Sequence, residues 1–299
     1  MYRYINFICY LLIFTSCSNK PSLEELKAFA ATEKYPADSF LDTVSNKSAL
    51  VIVAHDDDDC LMAGTIAKLH NSGWKIKQLT FSLTLLDPDR TEHPSVLISD
   101  GAELILPNTS YRIGVDTIKY PYVPISKERI MQTEFKNEEI EAALIQLINK
   151  YNPSVIFTLD NEMGGYGNPE HVYISQLVVN LLNQDKISAD RIYQGVYTNH
   201  MEQEIIDTWL YNKMKKYDFP NPYTIGKKIY GIDGMPEPDV EINITDYANE
   251  KMSYMLAYHE DARKNIRKFV PYFEEFDAST YFSVFDREFF RVIEKRSES

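Results

Sequence analysis

Several ordinary means of building or addressing a protein are scarce in this chain. Three cysteines occur in 299 residues, and one of them, Cys60, lies beyond residue 17. A disulfide within the body is therefore excluded, and Cys60 is expected to be a buried, inert thiol. After the first twenty residues no apolar run is long enough to cross a bilayer, and no internal repeat is present. Positive charge is also short: 31 Lys and Arg stand against 44 Asp and Glu, a net charge of −13. Such a surface repels phosphate backbones, which argues against a nucleic-acid partner and leaves neutral sugars, small amides or cations open. What is present in ordinary measure is core-forming material, with 44% hydrophobic and 25% charged residues.

The first twenty residues differ from the rest. Arg3 precedes an apolar run from Ile5 to Phe14, followed by the small residues Thr15 and Ser16 and then Cys17. This is the layout of a secretory signal peptide, too short to span a membrane as a folded helix. It also resembles the lipobox of bacterial lipoproteins, which implies cleavage before Cys17, acylation of that cysteine and a place in the bacterial cell envelope. Residues 1–16 are thus read as signal and 17–45 as a lipid-anchored polar tether with one short helix. Residues 46–262 make the main domain, with an insertion at about 200–238, and 263–299 a C-terminal extension packed on it.

Strand and helix patterns alternate through the main domain, the mark of an α/β fold with a mostly parallel sheet flanked by helices. Strands are expected at Ser48–Ala54, Trp74–Ser82, Ser154–Leu159, Arg191–Tyr197 and Val240–Ile244, with one or two more in Tyr111–Tyr122. Helices are expected at Cys60–His70, Ile98–Leu106, Asn137–Lys150, Pro169–Asn183 and Tyr247–Arg263. Asn168 suits the N-cap and Pro169 the first position of the fourth helix. The stretch from His200 to Pro238 reads as a substrate-facing insertion rather than core, and the end from Lys264 as helical and aromatic.

Directly after the first strand comes Ala54-His55-Asp56-Asp57-Asp58-Asp59. Ligands of open α/β sheets bind outside the carboxyl ends of the strands, which is where this run falls. Four adjacent carboxylates repel one another, and a divalent cation is the simplest way to keep several ionised. The missing ligand is most plausibly His171, in the first turn of the helix after the Ser154–Leu159 strand and so at the same sheet edge. Two histidines and a carboxylate make a catalytic zinc set, whereas magnesium prefers oxygen alone. A solvated acidic loop and a plain helix-start histidine are the bland alternatives.

The chain here resembles the PIG-L/LmbE-like zinc deacetylases. Their first motif, alanine-histidine-proline-aspartate-aspartate-glutamate, is matched by Ala54 to Asp59, with Asp56 for proline and Asp59 for glutamate. Their second, often glycine-glycine-tyrosine-glycine-histidine-proline-aspartate-histidine, is matched by Gly164-Gly165-Tyr166-Gly167-Asn168-Pro169-Glu170-His171. A weaker third match runs from Lys251 through Leu256 to His259, with Asp261-Ala262 where the family has serine-glutamine. The resemblance covers roughly residues 48–262. It implies a Rossmann-like, LmbE-like fold and one zinc per chain on His55, Asp58 and His171. It also implies Asp57 as general base, with Tyr166 and Asn168 as donors near the oxyanion, a role worth about 3 kcal/mol in comparable sites. Asn168 replaces a histidine common there and cannot carry a proton at neutral pH. Arg90 and His259 are candidate substrate contacts, with His93 a weaker one.

The expected function is zinc-dependent removal of an N-acetyl group from an acetamido sugar or related conjugate. The rivals are a metal- and sugar-binding lipoprotein with little catalysis, and a calcium or magnesium hydrolase using the Asp run alone. The residues fix no oligomeric state.

Overall fold

The computed structural model of the protein describes residues 20–83, 90–107, 109–113, 123–216 and 218–294. The signal and lipid-anchor expectations for residues 1–19, with Cys17, lie outside these, as do most of the strands expected in 111–122. In chain order the main elements are β1 (Ser48–Ile52), α1 (Ala63–Asn71), β2 (Lys75–Thr80), β3 (Ala102–Leu104), α2 (Asn137–Tyr151) and β4 (Val155–Leu159). There follow α3 (Pro169–Asn183), β5 (Arg191–Val196), β6 (Val240–Asn243), α4 (Ala248–Leu256), α5 (Glu260–Phe269) and β7 (Arg287–Glu294).

The strands form one sheet in the order β3-β2-β1-β4-β5-β7-β6. The first five are parallel, and β7 runs antiparallel to both β5 and β6. Alternate side chains of a strand face opposite sides, and the two cores divide accordingly. Leu50, Ile52 and Ile156 pack with Ile140, Leu144 and Ile148 of α2 and with Val172, Val178 and Leu182 of α3. Ala49, Val51, Val155 and Phe157 pack on the other side with Ala63, Ile66 and Ala67 of α1 and Met252 and Met255 of α4. The central strands are buried on both faces, which is why they read as continuous apolar runs.

Strand order reverses at β1, which has β2 on one side and β4 on the other. The loops after β1 and β4 leave the same sheet edge there, the crevice where ligands of such folds bind.

Five expectations are corrected. The stretch 98–106 is not a helix: Gly101 takes φ +91°, a left-handed conformation that breaks a helix, and Ala102–Leu104 joins the sheet beside β2. The helix expected over 247–263 is two, because His259 is extended (φ −57°, ψ 152°) and caps α5. The chain end is not wholly helical, since the apolar Phe289 and Phe290 draw β7 into the sheet between β5 and β6. Residues 20–45 are no free tether: Leu26 and Leu41 are buried and Ala37 bridges Glu241. The 200–238 stretch is in part core, contributing Met201, Ile205, Ile206 and Leu210, and includes a wide π-helix over Glu202–Leu210.

Glu202 is buried in this stretch, where it accepts the Met235 amide at 2.7 Å. Burial pushes its pKa from 4.5 to about 7. Between those values the folded state holds a proton that the unfolded chain has lost, so stability falls as pH rises through that window. Glu202→Gln, which keeps the acceptor oxygen, should be more stable than the parent by about 2 kcal/mol at pH 8 and near-neutral at pH 4. Thermal melts at both pH values check this; an equal effect at the two would show that ionisation is not the cause.

Candidate metal centre

Two loops make the site. After β1, His55 bridges Ser82 of the neighbouring strand's end, and the chain turns into a single 3-10 turn over Asp58–Leu61. Asp58 fastens this turn, accepting the His55 amide at 2.7 Å. After β4, the buried Asp160 gathers the glycine-rich loop: Oδ1 accepts the amides of Glu162, Met163 and Gly164 at 3.1, 2.6 and 3.1 Å, and Oδ2 that of Gly165 at 2.8 Å. Gly164 needs its missing side chain, for at φ +61° a Cβ would meet Val172 Cγ2 at 2.8 Å. Pro169 then opens α3 with Asn168 as its N-cap.

These loops bring together His55 Nδ1, Asp58 and His171 Nε2. The ring nitrogens are 3.2 Å apart, and Asp58 Oδ1 is 3.1 Å from His171 Nε2 while Oδ2 is 3.4 Å from His55 Nδ1. The outer nitrogens are held by acceptors. His171 Nδ1 donates to the Gly164 carbonyl at 3.1 Å, and His55 Nε2 donates to Glu170 Oε2 at 2.6 Å. Each outer nitrogen so carries a hydrogen, which turns the inner nitrogens, the two able to ligate a metal, toward each other and toward a carboxylate. Nitrogens that meet this closely over a carboxylate need something positive between them, a proton or a metal ion. One ligand atom from each of the three residues lies within 4.8 Å of the others, the reach of a single metal ion. This donor set fits a divalent cation that takes imidazole and carboxylate together.

The electrostatics agree. Burial works against charge on His55, yet the Asp58 and Glu170 carboxylates outweigh it and hold its pKa well above the ordinary value. Burial also opposes an ionised Asp58, and His171 and His55 outweigh it in turn and drive its pKa down. A field that favours a proton here favours a metal cation more.

The Asp run divides into separate tasks. Asp56 is buried and accepts from His93 Nε2 at 2.7 Å, and Asp59 is buried and accepts from the Tyr254 hydroxyl. Burial, and then the neighbouring carboxylates, raise the Asp59 pKa well above the usual range. These carboxylates do not converge on one point, so the run by itself forms no oxygen-lined cation site among the described residues. Of the run, Asp57 alone lines the cavity with a carboxylate that has no hydrogen-bond partner among the described residues. Burial, then the Asp58 charge, push its pKa to about 7.

Tyr166 and Asn168 also line this cavity, whose volume is about 810 Å³. Asn168 serves two purposes at once. Its Oδ1 accepts the Glu170 amide at 2.8 Å, while its Nδ2 donates to the Tyr166 hydroxyl and to His171 Nε2, each at 3.1 Å. Arg90 is exposed and His259 half-exposed, with its Nδ1 turned to the Asp261 amide at 3.3 Å; neither lines the cavity. The His93 ring is taken up by Asp56 and by Ser95.

Glu170 is the functional residue that sequence reasoning passed over. It is buried, and it accepts from Arg112 Nε at 2.7 Å and the Tyr111 hydroxyl at 3.0 Å as well as from His55. Burial would raise its pKa, but His55 and Arg112 reverse that and hold it at about 2. Arg112 continues to the buried Glu134 at 2.8 Å. The available signal was its place beside His171, where the second motif carries a carboxylate; Arg112, 58 positions away, gives no local sign.

The family model described as "PIG-L: GlcNAc-PI de-N-acetylase" matches residues 50–182, a span that holds both loops of the site. No curated protein matches the sequence significantly. Among solved structures the fold is similar to the N,N'-diacetylchitobiose deacetylase of Pyrococcus horikoshii, at 16% identity and TM-score 0.42 over 86% of this chain and 90% of that one. It is also similar to the 4-carboxy-2-hydroxymuconate hydratase GalB of Pseudomonas putida, at 12% identity and TM-score 0.45 over 84% and 98%. A deacetylase of teicoplanin biosynthesis is similar at 10% identity and TM-score 0.46 over 84% and 100%.

Replacing Glu170 by Gln should leave the fold in place but weaken divalent-cation binding roughly 10- to 100-fold, since the His55 ring loses its charged orienting partner. Competition against a chelator measures it, and an unchanged affinity would show that Glu170 does not act through His55.

Proposed function

We propose, for a chain that carries a PIG-L family domain over residues 50–182, a zinc-dependent N-deacetylase acting on an acetamido sugar or a related conjugate. The observation that carries this reading is the convergence of His55 Nδ1, Asp58 and His171 Nε2, with both outer ring nitrogens tied to acceptors, on the floor of a cavity of about 810 Å³. A sugar or disaccharide fits that volume. Two imidazoles and a carboxylate suit zinc, whereas calcium and magnesium seek oxygen alone. When bound, zinc would polarise the amide carbonyl and a water molecule.

The chain's own residues divide the remaining work. Asp57, its side chain without a partner among the described residues and its pKa raised to about 7, takes the proton of the attacking water and returns it to the leaving amine. Burial raises the Tyr166 pKa, so its phenol stays a hydrogen-bond donor. Because Asn168 donates to the phenol oxygen, the Tyr166 proton is left for the developing oxyanion. Asn168 thus does by orientation what the histidine common in the family does at that position. The ring of Tyr166 is held against Phe269, with centroids 4.8 Å apart, and against His171.

The second reading, a metal- and sugar-binding lipoprotein without catalysis, has the exchange of histidine for Asn168 in its favour. Acetate release decides between them. Asp57→Asn should keep zinc and lose turnover by at least about 100-fold, while His171→Ala should lose both. Zinc bound by the parent with no acetate released from any acetamido sugar would favour the binding protein. Undiminished turnover in Asp57→Asn would remove the assigned base.

The lipid anchor belongs to the same proposal. Mass spectrometry of the native N-terminus should find Cys17 diacylated or triacylated as the first residue; an intact Met1 would contradict it.

A further inference from the structure

The cavity changes sign between floor and rim. Asp57 and Asp58 lie at the floor beside the histidines. The rim is made by α5 and by the helical stretch that ends at Lys216, two elements in contact. From these, Lys213, Lys216, Lys264, Arg267 and Lys268 line the cavity, and Asp261 is the one carboxylate they bring with them among the described residues. In a chain with 44 acidic and 31 basic side chains, that local excess runs against composition.

Lys264 and Arg267 are neutralised by ion pairs, and Lys268 donates to Asn265 Oδ1 at 2.8 Å. Lys264 pairs with Asp261 at 2.6 Å, and Arg267 pairs with Glu260 at 2.7 Å and with Glu274. Lys213 and Lys216 form no ion pair among the described residues; the Lys213 ammonium lies 4.1 Å over the Trp209 ring. Lys213 is half-buried, and burial, then the charges of Lys216 and Arg267, push its pKa down. Burial does the same to Lys268, which is near enough to the floor for the Asp57 charge to oppose it. Like charges crowded at a cavity mouth, with few carboxylates to offset them, are relieved by an incoming anion.

We propose that this rim is a subsite for an oxyanion: the acetylated substrate carries a phosphate, sulfate or carboxylate that Lys213 and Lys216 receive while the acetamido group reaches the floor. The proposal rests on the deacetylase reading for the acetamido end. Its residues, however, lie outside the 50–182 span that matches the family, so it is a property of this chain's own later segments.

Calorimetry on the zinc-loaded protein tests it, with N-acetylglucosamine 1-phosphate, an N-acetylglucosaminyl glucuronide and the neutral methyl N-acetylglucosaminide as probes. At low salt at least one anionic probe should bind about tenfold or more tightly than the methyl glycoside, and about 0.5 M salt should erode that preference. In the double variant Lys213→Gln/Lys216→Gln, checked for an unaltered melting profile, the preference should collapse. Comparing the phosphate with the uronate identifies the oxyanion. Equal binding of charged and neutral sugars, or a preference that survives in the double variant, overturns the proposal. Acetate assays on the same samples keep the two claims apart. A binding preference without acetate release would sink the deacetylase reading and leave the subsite standing, and acetate release without preference would do the reverse.

Discussion

Two histidine nitrogens turned toward each other over a carboxylate are the constraint on which the rest of this structure depends. Nitrogens in that position need a positive charge between them, and the chain holds them there from outside. The Gly164 carbonyl takes the outer hydrogen of His171, and the Glu170 carboxylate takes that of His55. Arg112 pairs with Glu170 and with Glu134, so the orientation of a single imidazole is secured through three buried charges. A buried charge chain of this kind costs desolvation, and removing one member would strand the others, so its return is geometric rather than energetic. It makes the centre receptive to a cation before one arrives.

The fold supplies the position and the loops supply the chemistry. Parallel β1 and β4 deliver His55, Asp58 and His171 to one sheet edge, and the strand-order reversal at β1 opens the crevice there. Within the loop after β1, four consecutive carboxylates escape mutual repulsion by being given different partners: an imidazole, the cavity, the two metal-facing rings and a tyrosine hydroxyl. Only the Asp57 side chain has no partner among the described residues, and it lines the cavity beside Asp58. The 200–238 stretch and α5 then wall the cavity and add a positive rim to an otherwise acidic chain.

The central layers were legible in the residues because burial on both faces leaves unbroken apolar runs, as at Ser154–Leu159, and because Asn168-Pro169 punctuates a helix start. The cluster of His55, Asp58 and His171 was legible because histidine and aspartate fell at strand ends. The failures have physical causes as specific. A positive φ at Gly101 turned an apparent helix into β3. The apolar β7 was hidden in a segment rich in aromatics, whose periodicity over so few residues does not separate strand from helix. Glu170 and Arg112 escaped because their pairing is long-range, and charge in sequence carries no address. His259 was a pocket candidate through the resemblance to the family's third motif, but its ring caps α5 instead.

The central claim is that His55, Asp58 and His171 form one cation site. The most direct test is anomalous diffraction at the zinc edge from crystals of the zinc-loaded protein. The account predicts one strong peak bound by His55 Nδ1, Asp58 and His171 Nε2, with the Glu170 and Gly164 contacts to the outer nitrogens retained. A peak bound elsewhere, or histidines that keep their present approach with no ion between them at saturating zinc, would contradict it.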